Sequence, residues 1–201
     1  MVHLGLSKRK HLPALFAKDN PYAFKLWEYR LAKQVEETGL WLDGLGICIL
    51  TTDQTPYDPP FSLEGKTVLD IGASNGECAW WYMKKFGASH VISIECDPEQ
   101  IYYLKRNQEY LNKNFGKVDI IEEPFNIQHL KDNKFDFIKC DCEGYEMILI
   151  DYINQGNKLP PTVVEAHTDW IRDRFLERGF TVKKRFFDNM AQVSLNVMIN
   201  W

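Results

Sequence analysis

From Lys66 onward the chain alternates short continuous apolar runs with longer runs of helical period, and few folds accommodate that alternation. Lys66 to Ile71 (KTVLDI), His90 to Glu95 (HVISIE), Lys117 to Glu122 (KVDIIE), Phe135 to Cys140 (FDFIKC) and Thr162 to Glu165 (TVVE) read as short buried strands. Helical segments separate them. Glu77 to Phe86 is closed by Gly87, a residue suited to a left-handed cap. Asp97 caps a long helix, with Pro98 at its first position and Gln100 where a capping-box partner belongs, and this helix runs to Phe115 before Gly116. Gly144 to Asn154 and Asp169 to Arg178 complete the set. Strands joined through helices pair in parallel by right-handed crossovers. The last two strands, Phe180 to Phe187 and Val193 to Ile199, are separated only by Asp188 to Gln192, too few residues for a crossover, so they form an antiparallel hairpin. The expectation is an α/β fold, a Rossmann-like, doubly wound, mostly parallel sheet with a C-terminal antiparallel hairpin.

Residues 1–62 stand outside this pattern. Phe24, Trp27, Leu31 and Val35 share one face of a predicted helix ending at Gly39, Leu45 to Leu50 (LGICIL) is a candidate strand, and Pro56, Pro59 and Pro60 make a stiff connection. We expect an N-terminal helical cap over residues 1–62, packed on a catalytic domain of residues 63–201 and contributing to its substrate pocket. No apolar run approaches the ~18 residues of a spanning helix, and the basic start, Met1 to Lys18, lacks the apolar centre of an export signal. The five cysteines form no Cys-x-x-Cys pair, which favours a reduced, cytoplasmic setting over a disulfide framework or a cysteine zinc site. A net charge of −4 gives no overall attraction to phosphate backbones.

Open α/β sheets bind ligands beyond the carboxyl ends of their strands, and the first strand–helix turn carries the glycines. Here that turn is Asp70-Ile71-Gly72-Ala73-Ser74-Asn75-Gly76. Gly72 permits a tight turn, Gly76 a close approach, and the following helix start suits a carboxylate. Asp70 is placed to meet an ammonium group, and Glu95, about twenty residues beyond Gly76, to accept from ribose hydroxyls. A dinucleotide fingerprint would need glycines at Gly72, Ser74 and Glu77, and two of the three fail. A carboxylate at Glu77 would also repel a pyrophosphate. S-adenosylmethionine has no phosphate and is the expected cofactor. Its contacts are assigned to Asp70, Gly72, Ser74, Asn75, Gly76, Glu95 and Asp141, with Glu122 or Glu123 accepting from the adenine amino group.

Val68-Leu69-Asp70-Ile71-Gly72-Ala73-Ser74-Asn75-Gly76 resembles motif I of class I methyltransferases, with Ser74 replacing the usual middle glycine. Ile138-Lys139-Cys140-Asp141-Cys142-Glu143-Gly144-Tyr145-Glu146 resembles the Ile-Lys-x-Asp-x-Glu-Gly-x-Glu signature of the FkbM-type methyltransferases, and Val163-Val164-Glu165-Ala166-His167 resembles that family's fifth-strand end. The resemblance spans about residues 62–200. It implies O-methylation of varied small molecules and sugars.

In such a fold the ends of the fourth and fifth strands face the transferred methyl group. Asp141, Glu143 and His167 are the expected catalytic residues, since an oxygen acceptor needs help losing its proton. Glu146 reads as a helix start complementing the dipole, and Glu165 as orienting substrate or pairing with a lysine. Asp141 with Glu165, His167 or Asp169 has the donors for a divalent cation, but the Asp-Asn pair of catechol-type enzymes is missing after the fifth strand, so no metal is expected. Asp58-Pro59-Pro60-Phe61 precedes the first strand and reads as a proline turn, not as an amino-methylation motif. Trp80, Trp81 and Tyr82 are consecutive on a helix and cannot share one face. The expected activity is methyl transfer to a small-molecule or sugar hydroxyl, with nucleic acid disfavoured and no membrane partner. The alternatives are a protein or RNA acceptor, or a catalytically silent cofactor-binding scaffold subunit.

Overall fold

The computed structural model describes residues 32–36, 38–43, 55, 57–132, 134–183 and 195–199. In chain order these form β1 (Lys33–Gln34), β2 (Trp41–Leu42), β3 (Thr67–Ile71), α1 (Glu77–Phe86), β4 (His90–Ile94), α2 (Pro98–Asn114) and β5 (Lys117–Ile121). There follow α3 (Ile127–Asp132), β6 (Phe137–Cys140), α4 (Met147–Asn154), β7 (Thr162–Ala166), α5 (Asp169–Leu176), β8 (Phe180–Lys183) and β9 (Leu195–Ile199). The main sheet runs β5-β4-β3-β6-β7-β9-β8. Strands β3 to β7 pair in parallel, and β9 lies antiparallel between β7 and β8. The chain winds outward from β3 to β5, then returns to β6 on the other side of β3. Its topological switch, where open sheets hold ligands, therefore lies between β3 and β6.

Both faces of the parallel strands are buried, so their residues divide by parity. Val68, Val91, Val118, Phe137 and Val163 join Leu40, Leu42, Tyr57, Leu63 and α1 on one face. Leu69, Ile71, Ile94, Ile138 and Val164 meet Leu149, Ile171 and Phe175 on the other. Trp80, Trp81 and Tyr82 are all buried, and all three belong to the same core cluster. Asp58 accepts from the Trp81 indole at 2.7 Å, and the Tyr82 hydroxyl donates to the Tyr57 carbonyl.

Three readings change. Lys33–Gln34 and Trp41–Leu42 form a small antiparallel sheet where a helix ending at Gly39 was expected, and Leu40 and Leu42 are thereby buried. Phe24, Trp27, Leu31, Leu45 to Leu50 and the hairpin turn Asp188 to Gln192 lie outside the described residues. Helix α4 begins at Met147 and not at Gly144, because Glu143 and Gly144 take positive φ angles of 56° and 110° that interrupt a right-handed helix. Asp97 caps α2 as predicted, accepting from Glu99 and Gln100 amides, but the Gln100 side chain leaves the capping box and reaches the glycine turn.

Candidate active site

The glycine turn is held from below and behind. Asp70 is fully buried and lies 3.1 Å from the Lys139 ammonium, which also donates to the Gly72 carbonyl at 2.7 Å. Burial alone would lower Lys139, but the Asp70 carboxylate beside it holds the ammonium well above its ordinary value. Asp70 is thus spent on a lysine of the chain itself, which corrects its assignment to a ligand ammonium. The signal was present in the sequence, since Lys139 is a lone cation inside an apolar strand, and such a charge requires a buried partner. Gly72 takes the left-handed φ of a tight turn, as expected, and a second constraint also requires glycine there. At φ 73°, a Cβ there would stand 1.8 Å from the Asp141 carbonyl, so the turn must be bare where β6 ends. At Gly76, with φ 87°, a Cβ would stand 2.8 Å from Leu104 of α2.

Ser74 and Asn75 crown the turn. The Ser74 amide donates to Glu95 Oε2 at 2.9 Å, while Glu95 Oε1 accepts from the Cys96 and Asp97 amides. Glu95 therefore stands beside the loop and fixes it to the end of β4. Asn75 is buried, accepting from the Asp43 amide and donating to Gln100, and its carbonyl accepts from Asn107. Asn107 in turn holds both backbone groups of Trp41, so the small β1–β2 sheet is tied to the cofactor turn. At the end of β5, Glu122 pairs with Lys105 at 2.6 Å and Glu123 with His129 at 2.7 Å. Both glutamates are exposed at the surface.

A second cluster gathers where β6 and β7 end. Asp141 follows β6 directly, and its amide donates to the Ile71 carbonyl. Glu165 shares the parity of Val163 and so faces the N-terminal segment. There the Tyr57 hydroxyl lies against both Asp141 Oδ2, at 2.8 Å, and Glu165 Oε2. Nothing in the sequence marked Tyr57, which sits in an aperiodic proline-rich loop. His167 places Nε2 3.2 Å from Asp141 Oδ1 and Nδ1 2.7 Å from Glu146 Oε1. Burial works against a charged imidazole, but Asp141 and Glu146 prevail and raise His167 from its ordinary 6.5 to about 10. A doubly protonated ring has no lone pair to take a proton, so His167 orients and balances charge and does not serve as the resting base. Burial likewise opposes the charge on Asp141, yet His167 and Lys139 keep its carboxyl well below the usual range. Glu146 is fully buried and does not cap α4; its carboxylate folds back over the Cys142 and Gly144 amides and onto His167. Glu143 is exposed, 3.8 Å from His167. Asp169 pairs with Arg172 on α5, outside the cluster. One atom each of Asp141, Glu165 and His167 lies within 4.8 Å of the others.

A glycine turn tied to an acid at the next strand end, with a polar cluster beyond the switch point, is the layout of a cofactor-dependent group-transfer site. Comparison with known proteins decides which. The FtsJ-like methyltransferase family model matches residues 56–198. The chain belongs to the FtsJ-like methyltransferase family. Among solved structures, a methyltransferase from Pyrococcus furiosus superposes with a TM-score of 0.56 at 20% identity, covering 90% of this chain and 99% of that one. Fibrillarin from Aeropyrum pernix, which holds natively bound S-adenosyl-L-methionine, superposes with a TM-score of 0.51 at 12% identity, covering 77% and 72%. These two show the fold. A curated relative, the tRNA U34 carboxymethyltransferase of Sulfurovum sp. (strain NBC37-1), is 33% identical over 85 residues, or 41% of this chain. That match spans 26% of the relative's length.

The FtsJ-like methyltransferase is thus a class I, S-adenosylmethionine-dependent enzyme, as its glycine turn predicts. The acceptor expectation needs correction. A small molecule was expected and nucleic acid disfavoured on a net charge of −4, but the curated relative is named for tRNA. Whole-chain charge averages over local surfaces and does not decide what one face binds. Among the described residues no helix of the methyltransferase is long and apolar enough to cross a membrane.

Proposed function

We propose that this methyltransferase moves the methyl group of S-adenosylmethionine to a hydroxyl of an RNA nucleotide. The observation that carries the reading is the Asp141 carboxylate, held immediately beyond the switch point by Tyr57 and His167. The transfer is an in-line displacement: the acceptor oxygen bonds to the methyl carbon as the carbon–sulfur bond breaks, and the hydroxyl proton passes to a carboxylate. Gly72, Ser74, Gly76 and Glu95 hold the donor, with Asn75 supporting the turn from within. Glu122 and Glu123 border the adenine. Asp141 takes or orients the acceptor proton, with Glu143 at the rim and His167 positioning Asp141. An oxygen acceptor also fits the sequence after β6, where Asp-Cys-Glu-Gly replaces the Asp-Pro-Pro-aromatic motif of amino-methylating enzymes.

RNA is supported by the tRNA-directed relative and by a cationic aromatic stack beside the donor site. Arg106 lies 4.4 Å over the Trp41 ring and 5.6 Å from that of Tyr102, and Trp41 stacks on Tyr103. Bases stack on such surfaces without regard to sequence. The FkbM-type likeness of Ile138 to Glu146 is a reading of that run alone, and residues 1–62 are assigned as a cap on the catalytic domain of residues 63–201. The test supplies methyl-labelled donor with bulk RNA and, separately, with pools of sugars and small alcohols. Ribonuclease-sensitive label is expected in the RNA arm. Label confined to the small-molecule arm overturns the proposal.

A further inference from the structure

Four carboxylates, those of Asp141, Glu143, Glu146 and Glu165, surround one imidazole and one phenol at the ends of β6 and β7. Lys139, the nearby ammonium, is already committed to Asp70. A phenol carries one proton, yet the Tyr57 oxygen touches both Asp141 and Glu165, so it donates to one and turns a lone pair to the other. A cation between the two carboxylates removes that conflict.

The imidazole is set up for the same purpose, its Nε2 proton being released as the ion takes the lone pair. Its Nδ1 bonds the fully buried Glu146 carboxylate at 2.7 Å, which directs Nε2 toward Asp141. A carboxylate behind a histidine is how proteins fix the ring and tautomer of a metal ligand. Glu146 keeps its other oxygen buried without a hydrogen-bond partner, so its place is governed by the ring it orients and the loop amides it covers. The ligating atoms of Asp141, Glu165 and His167 lie within 4.8 Å of one another, the spread of donors around a single ion. Two hard oxygens with one imidazole nitrogen suit Mn²⁺ or Zn²⁺ better than Mg²⁺, which favours oxygen alone.

We propose that Asp141, Glu165 and His167 together bind one divalent cation of the Mn²⁺ or Zn²⁺ type at the acceptor end of the site. The sequence expectation of no metal looked for an Asp-Asn pair after the fifth strand; the donors are instead Glu165 within β7 and His167 just beyond it. The ion's open positions take an acceptor oxygen and polarise it. That last role rests on the hydroxyl-acceptor reading above, whereas the binding site itself does not.

The test titrates the chelator-treated full chain with MnCl₂ and follows the paramagnetic resonance signal of free Mn²⁺. One ion per chain should bind, and ZnCl₂ should displace it. D141N and E165Q should each weaken binding at least tenfold, and E146Q, which spares all three ligands, by about tenfold as an orienting partner. D119N, on the far edge of the sheet, should change nothing. Mn²⁺ should also raise the melting temperature of the wild type but not of E165Q, which gives a readout if D141N fails to fold. An undiminished free-Mn²⁺ signal in the wild type overturns the proposal, as does wild-type affinity in D141N and E165Q. Labelled-methyl transfer to RNA is scored separately, so loss of the metal site and loss of the RNA reading are distinguishable results.

Discussion

Glu77 opens α1 one residue after the glycine turn, with one carboxylate oxygen buried and without a hydrogen-bond partner. Burial first, and then the negative charge of Asp43, push its carboxyl from 4.5 up to about 8. The native state therefore keeps a proton that the unfolded chain releases. Its contribution to stability is fully present below pH 4.5 and declines as the pH rises to about 8. Glu77→Gln keeps the shape and removes the ionisation, so it should stabilise the protein at pH 8 by on the order of 1–3 kcal/mol and leave stability at pH 4.5 unchanged. Urea denaturation at both pH values measures this, and parallel wild-type and variant profiles would sink it. The sequence showed Glu77 only as an argument against pyrophosphate; its burial depends on the packing of residues far off in the chain. Asp141 was legible from its place after an apolar strand, and its role has its own test. Asp141→Asn should lower turnover by ~10²-fold or more while adenosylhomocysteine affinity changes little. Joint loss of both would make Asp141 a donor ligand or a folding residue. Tyr57→Phe should slow turnover too, without unfolding the chain, because the ring stays in the core.

At the level of elements, the strands and long helices declared themselves because both faces of the sheet are buried and the apolar runs are continuous. Helix α3 spans Ile127–Asp132, too short to display a period, and it went unread. The β1–β2 pair was hidden for another reason: its two-residue strands are fixed by contacts with α2 and not by local pattern. Asn107 spans that contact, donating to the carbonyls of both Trp41 and Asn75 and accepting from the Trp41 amide. It is 1% exposed, so its loss leaves several backbone groups unpaired in the interior. The same contact places Trp41 under Arg106, which joins the small sheet to the proposed RNA surface. Trp41→Ala should weaken binding of single-stranded RNA by about 1–3 kcal/mol, the scale of one lost base stack, while adenosylhomocysteine still binds. Arg106→Ala should also shallow the salt dependence of RNA binding. Filter binding across a salt series reads both effects. RNA affinity unchanged in the two variants would move the acceptor surface elsewhere.

For the molecule as a whole, donor selectivity follows from how the turn is built. Class I methyltransferases and dinucleotide enzymes share the parallel sheet and its switch point, so the sheet by itself does not choose between their cofactors. The choice falls to the turn. Ser74 holds a left-handed φ of 50° where a dinucleotide fingerprint needs glycine, and its amide is engaged by Glu95. Glu77 follows at the helix start that would have to receive a pyrophosphate. Burial, and after it Asp43, keeps this carboxyl protonated up to about pH 8, so the charge repulsion expected from the sequence is not what excludes a diphosphate, and the discrimination rests on Ser74 standing where a glycine is needed. Calorimetry should accordingly show adenosylhomocysteine binding with no measurable NAD binding under the same conditions. Glu95→Gln, which keeps the shape but drops the charge and turns one of the two accepting oxygens into a donor, should weaken adenosylhomocysteine by roughly 1–3 kcal/mol if the carboxylate receives the ribose hydroxyls. Unchanged affinity in that variant would confine Glu95 to holding the turn, and tight NAD binding by the wild type would overturn the assignment of the donor site. Binding of adenosylhomocysteine with no labelled-methyl transfer to RNA, sugars or protein would instead favour the scaffold alternative, because holding the donor at the turn does not require the Asp141 cluster to act on an acceptor.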